Sequence, residues 1–203
     1  MAPVKKDNSG SLTREKFLLT AHCIVAGLRL AGVSDEEIVR RAVDDNIFQF
    51  PTTKMSARIS RCCLARLDSL DNEQLVSLLA SGTPEQKRQA NIYAMMRHYE
   101  LVRLFMVDEI GSRFQSLDYS FTKVDMNAFF TRYQCVNPKA TDWVDSTVKR
   151  IKGVLMTVLY EGGYLSSTGS TTLVPPFLDY DVECGIRANG DSAWLPAFNC
   201  MEV

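Results

Sequence analysis

The chain has 203 residues, a formal net charge of −1, 46% hydrophobic and 23% charged residues. That balance excludes a polycation and a low-hydrophobicity disordered chain, and the length can bury one sizeable core or two smaller ones. Any binding of nucleic acid must therefore come from local basic patches.

The N-terminal stretch MAPVKKDNSGS is polar, so residues 1–10 are expected to be disordered, and no apolar segment follows at signal-peptide spacing. The longest apolar runs, AHCIVAGL and GVLMTVLY, are far shorter than the roughly 20 residues a spanning helix needs. A cytoplasmic protein without membrane contact is expected. The six cysteines, Cys23, Cys62, Cys63, Cys135, Cys184 and Cys200, show no CxxC spacing, and adjacent Cys62 and Cys63 are poorly placed for a mutual disulfide. Free thiols fit this pattern.

Helix punctuation organises the chain. Ser11 or Thr13 can open a first helix with a stripe Phe17, Ala21, Ile24, Leu28 and Ala31, closed by Gly32. Ser34 with Glu37 three residues later is a capping box for a short second helix through Ile38 and Ala42. Pro51 discourages helix at Phe50, and Thr52 or Thr53 can cap a third. Asp71 can cap a fourth helix carrying Leu75, Leu78 and Leu79, stopped by Gly82. Thr83-Pro84-Glu85-Gln86 is a strong start signal for a long spine helix, predicted to run to Ile110. Gly111 would end or bend it. Thr122 with Asp125 opens a helix through Met126, Phe129, Phe130 and Tyr133. Asp142 opens another, through Ile151, Leu155 and Leu159 to Gly162-Gly163. The segment YLSSTGSTTLV reads as a short hairpin, as at the end of a winged-helix module, and the tail beyond Pro175-Pro176 reads as irregular.

The third helix has an unusual charge pattern. TTKMSARISRCCLARL, residues 52–67, holds four basic residues and no acid. Lys54, Arg58 and Arg61 fall within roughly 60° of one another on a helical wheel. Met55, Ile59, Cys63, Leu67 and Leu70 collect on the opposite side, and Arg66 lies at the border of that stripe as a snorkelling or a buried, paired arginine. One face is suited to burial and the other to phosphates or a solvated surface. A second cluster, Lys149, Arg150 and Lys152, spreads over about 160° of its helix, with Asp145 placed for an i,i+4 pair to Lys149.

Catalytic signatures are missing: there is no GxxxxGK, GxSxG or HExxH. The two histidines, His22 and His98, have no metal-ligand spacing to Cys62 or Cys63. Asp179, Asp181 and Glu183 alternate and would share one side of an extended segment, a possible Mg²⁺ site for nuclease chemistry. No lysine follows in nuclease-like spacing, and calcium-loop geometry fails at Gly185 and Gly190.

The order Asn46-Ile47-Phe48-Gln49, Thr53, Arg58, Arg61, Arg66-Leu67 resembles the BrxA family of bacterial BREX phage-exclusion systems. So do the block EQKRQANIYAMMRHYELVRLF at residues 85–105 and the ending from Trp143 through Ser146-Thr147-Val148-Lys149-Arg150 to Leu159-Tyr160-Glu161-Gly162-Gly163-Tyr164-Leu165. The likeness runs from about Ser11 to the C-terminus. It implies a small helical DNA-binding accessory protein, similar in shape to the antitermination factor NusB and without catalytic activity. It would act beside a methyltransferase, a phosphatase-like protein and an ATPase.

The expected fold is all-α with a small C-terminal β-hairpin, in two packed helical subdomains, residues 11–82 and 83–203. The expected function is non-catalytic binding of double-stranded DNA, mainly through phosphates, by Lys54, Arg58, Arg61, Lys149, Arg150 and Lys152, with no cofactor and no metal. Two rival functions remain: an adaptor docking an acidic partner on the basic face, and, least favoured, a metal-dependent nuclease using Asp179, Asp181 and Glu183.

Overall fold

The structure is a computed structural model that describes residues 8–201; the expectation of disorder for residues 1–7 lies outside them. Ser9 and Gly10, which that expectation included, belong instead to a 3₁₀ turn, Ser9–Thr13. The protein is mainly helical. In chain order come α1 (Leu19–Leu30), α2 (Asp35–Asp44), α3 (Thr53–Leu70), α4 (Glu73–Ser81), α5 (Pro84–His98) and α6 (Glu100–Leu104). A π-helical stretch, Phe105–Gly111, leads into α7 (Ser112–Gln115), followed by α8 (Lys123–Val136), α9 (Pro138–Thr141), α10 (Asp145–Glu161) and α11 (Tyr180–Ala188). A second 3₁₀ segment, Ser192–Phe198, follows. Among the described residues no helix is long and apolar enough to cross a membrane.

The chain divides into two compact units. One contains residues 17–97 and 178–191. Here α1, α2 and α4 pack around α3. Ser34 caps α2 by accepting from the Glu37 amide at 3.3 Å. Thr83 and Gln86 complete a reciprocal capping box, with bonds of 3.2 and 2.9 Å. The α1 helix starts later than the sequence suggests: Leu18 has φ +55°, so the chain turns sharply before helical bonding begins. Its buried side is Ala21, His22, Val25 and Ala26, while Ile24 and Leu28 are half-buried. Asn72, not Asp71, caps α4; Asp71 takes a left-handed conformation that ends α3.

The tail predicted as irregular returns to this unit as α11. Asp179 caps it by accepting from the Asp181 amide at 3.0 Å, and receives Gln86 Nε2 at 3.1 Å. Asn189 donates to the Leu70 carbonyl at 2.7 Å, and Tyr93 donates to Asp191 at 2.6 Å beside an Arg97–Asp191 ion pair. Gly185 allows the approach to α4: a Cβ there would stand 2.6 Å from the buried Leu75 side chain.

The other unit contains residues up to 16, 98–177 and those from 192 onward. The predicted spine helix breaks at Tyr99, whose backbone is extended (φ −119°, ψ 114°). Two distant partners stabilise the break. The Tyr99 hydroxyl donates to Glu15 at 2.7 Å, and Ser9 Oγ accepts from the Leu101 amide at 3.1 Å, satisfying a first-turn donor of α6. Ile92, Met95, Tyr99, Val102, Met106 and Ile110, spread along the segment predicted as one helix, are all buried despite the break.

Thr122 and Asp125 form the expected capping box of α8, and Met126, Phe129, Phe130 and Tyr133 are buried along it. The α10 helix begins at Asp145 with Val144 as its N-cap, and Asp142 instead closes α9. The Tyr164 hydroxyl donates to the Ala197 carbonyl at 3.0 Å, and full burial pushes its pKa up, so it stays a donor.

The expected C-terminal hairpin does not form: the described residues contain no paired strands. Leu165 and Leu173 make one isolated antiparallel bridge, while Thr172 bridges Ser120. The Leu173 amide donates to Tyr119 at 2.7 Å, the Phe121 amide to Thr171 at 2.8 Å, and the Val174 amide to Tyr164 at 2.9 Å. Backbone groups around Thr172 are thus split between two different neighbours, which leaves no ladder and no winged-helix wing.

Gly111, the last residue of the π-helical stretch, keeps helical backbone angles (φ −61°, ψ −42°), and the chain runs on into α7. Its missing side chain lets the Pro196 backbone approach, since a Cβ would lie 2.9 Å from the Pro196 carbonyl carbon and 3.0 Å from the Ala197 nitrogen. Backbone cannot rotate away, so Gly111→Ala is expected to destabilise by about 1–3 kcal/mol. Urea denaturation followed by circular dichroism checks this; an unchanged midpoint would contradict the close approach.

Candidate nucleic-acid interface

Local geometry fixes how α3 starts. Asn46 and Gln49 take positive φ values of 46° and 57°. The Asn46 side chain then clamps the connector by bonding both the amide and the carbonyl of Phe50, at 3.0 and 3.1 Å. Thr52 accepts from the Met55 amide at 3.2 Å and caps the helix.

From there the helix sorts its residues by angle. Ile59, Cys63, Leu67 and Leu70 are buried, as the sequence predicts, and Met55 is half-buried. Arg66 is buried rather than snorkelling, one of the two readings its position on the wheel allows, and its guanidinium donates to the Phe17 carbonyl at 3.1 Å. Asn91 donates to the same carbonyl at 2.9 Å, and its Oδ1 accepts from His22 Nδ1 at 2.7 Å. This buried polar cluster fixes the rotation of α3, and with it the direction of its basic side.

Lys54 and Arg61 are exposed, and Arg58 is half-buried. None of the three forms an ion pair among the described residues, and Arg58 Nε is covered without an acceptor. The other arginines of this unit, apart from the buried Arg66, are ion-paired. Arg29 pairs with Asp35 and Asp68, Arg97 with Asp191, Arg187 with Glu183, and Arg88 with Glu85. Arg40 and Arg41 both hold Glu37, and their hydrogen bonds lower its carboxyl pKa to about 2. One acid continues the basic arc along α3, Asp68, but Arg29 holds it at 2.6 Å. The Lys54, Arg58, Arg61 arc therefore keeps its positive charge.

The second cluster lies in the other unit. Lys149 and Arg150 are exposed, and Asp145 forms no pair with Lys149, contrary to expectation. Lys152 donates to Asn127 Oδ1 at 2.8 Å and stands 5.0 Å above the Phe130 ring. Lys149 and Lys152 share a side of α10; Arg150 points elsewhere on the wheel. The fold adds Lys123, which lines one cavity with Lys149 and Lys152. Lys123 is distant in sequence and carries no local signal of this role.

The acidic segment does not have the geometry that a two-metal or one-metal nuclease site would need. Asp179, Asp181 and Glu183 lie at the start of a helix, not along an extended edge, so Asp181 turns away from the side that Asp179 and Glu183 share. Asp179 serves as the cap, and Glu183 pairs with Arg187 at 2.7 Å. Among the described residues no three His, Cys, Asp or Glu side chains gather as a metal site. None of the six cysteines is in a disulfide, as their spacing predicts.

Comparison with known proteins agrees with the sequence likeness. The profile of the BrxA family matches residues 6–190. The chain is 31% identical over 165 residues to the BREX protein BrxA of Bacillus cereus (strain H3081.97), covering 81% of this chain and 82% of that protein. It is 21% identical over 177 residues to the BREX protein BrxA of Escherichia coli O9:H4 (strain HS), covering 86% and 83%. In structure it resembles the crystal structure of an uncharacterized protein from Magnetospirillum magneticum, with a TM-score of 0.78, 20% identity, and 93% and 96% of the two chains covered. That last likeness concerns the fold alone. The extent of the profile match and the Bacillus cereus relative place this chain in the BrxA family.

Proposed function

We propose that the protein is a non-catalytic accessory component of a BREX phage-defence system that binds double-stranded DNA mainly through its phosphates. The observation that carries this reading is the unneutralised arc of Lys54, Arg58 and Arg61 on a helix whose other side is locked into the core. Three cations without ion-pair partners, on one side of two turns of helix, match neighbouring phosphates, and each phosphate engaged releases counterions. Lys149, Arg150 and Lys152 would add contacts from the second unit. Family membership supports partners among other BREX proteins, which by the resemblance include a methyltransferase, a phosphatase-like protein and an ATPase.

Phosphate contacts carry no direct sequence information, so two unrelated duplexes of equal length should bind with similar affinity. Gel-shift titration over a salt series tests this: affinity should fall steeply with salt on both. Salt-insensitive binding, or no binding, would contradict the reading. The protein should also leave duplex DNA uncut with Mg²⁺ or Mn²⁺, because Asp179 and Glu183 are engaged in capping and ion pairing. Cleavage that disappears in Asp181→Ala would overturn that.

A further inference from the structure

A cavity of ≈ 430 Å³ opens between the middle of α10 and the start of α8, a volume in the range of small-molecule sites. Lys149, Lys152, Gly153 and Met156 form its α10 wall at i, i+3, i+4 and i+7, a single helical side. Lys123 and Met126 of α8 face it, and the loop around Ser170 closes it with hydroxyl groups. The lining is divided chemically: two thioethers offer an apolar, polarizable surface, and ammonium and hydroxyl groups offer donors.

Gly153 adds an independent observation. It sits inside a 17-residue helix, where glycine costs about 1 kcal/mol relative to alanine. A Cβ built there would meet no atom within 4 Å, and its φ is ordinary. Packing within the protein therefore does not require glycine. The side chain it lacks is space belonging to the cavity.

The lining also selects the occupant. Bare phosphate has no use for Met126 and Met156, and a neutral lipid has no use for three lysines. Lys152 is already held by Asn127, which leaves Lys123 and Lys149 with no ion pair among the described residues. Methionine sulfur packs favourably on flat π systems. A planar base joined to a phosphate satisfies both halves.

We propose that this cavity binds one nucleoside phosphate, its base against Met126 and Met156 beside the opening left by Gly153, and its phosphate on Lys123 and Lys149. The choice of a nucleotide deepens the DNA reading and rests on it. A base stacked within a duplex cannot enter such a cavity, so the source is an unpaired nucleotide at a strand end or a free nucleotide.

The experiment uses the full chain and fluorescence anisotropy with a blunt duplex and the same duplex bearing a short 3′ thymidine overhang, plus calorimetric titration with dTMP and ADP. The overhang duplex is expected to bind about tenfold more tightly than the blunt one. Gly153→Leu should abolish that preference and leave blunt-duplex affinity unchanged, with a thermal midpoint no lower than that of the wild type. Lys123→Ala, at an exposed position, should reduce the preference severalfold and serves should Gly153→Leu misfold. Competition by dTMP or ADP identifies a free nucleotide as the source; preference without competition identifies a strand end. Equal affinity for the two duplexes with no mononucleotide binding overturns the cavity proposal and leaves the phosphate reading standing. If no duplex binds, the phosphate reading fails, and the mononucleotide titration alone decides: binding abolished by Gly153→Leu supports the cavity, and no binding overturns it.

Discussion

Leu67→Ala is expected to destabilise the protein by about 2–5 kcal/mol, the range for truncating a fully buried leucine into a partly collapsing cavity. Leu67 is only 3% exposed and lies in the middle of the buried side of α3. Helices α1, α2 and α4 all pack against α3, so its surroundings are held from several directions and can collapse only partly. Urea denaturation followed by circular dichroism measures the effect. The result bears on more than the core. If Leu67→Ala unfolded at the wild-type midpoint, α3 would be rotated relative to this account, and the assigned direction of Lys54, Arg58 and Arg61 would fall with it.

What is legible in the sequence is local. Ser34, Thr83 with Gln86, and Thr122 with Asp125 announce helix starts within four residues; the last two form reciprocal boxes, while Ser34 caps α2 without the expected return bond, because Glu37 is held by Arg40 and Arg41. The two sides of α3 follow from helical angle alone, and the buried Ile59, Cys63, Leu67 and Leu70 agree with that angle. Features set by distant partners are not legible. The spine breaks at Tyr99 because Glu15 and Ser9 complete the interrupted bonding, and neither glycine nor proline marks the place. The segment near Thr172 looks like a hairpin strand, but its backbone bonds are shared with residues 119–121.

In α11 the sequence carries two competing signals. Alternating acids suggest an extended edge, while the Asp179 cap and the buried pair Val182 and Ile186, four apart, carry the helical signal that the fold follows. Within the candidate site, the charge of the α3 arc is readable. That Asp68 fails to neutralise it is not, because the deciding residue, Arg29, sits on another helix. Lys123 joins Lys149 and Lys152 only through the fold.

The central claim is that the α3 arc binds phosphates. Its most direct test is the salt dependence of duplex affinity for Lys54→Ala/Arg58→Ala/Arg61→Ala beside the wild type, with circular dichroism as the fold control. Two of the three side chains are exposed and none has an ion-pair partner among the described residues, so folding should persist. Removing one cation from a phosphate should flatten the slope of log affinity against log salt by about 0.9, so the triple variant should be flatter by about 2.7. Affinity near physiological salt should drop by about two orders of magnitude or more, equally on duplexes of different sequence. A folded triple variant that binds with the wild-type slope would contradict the account.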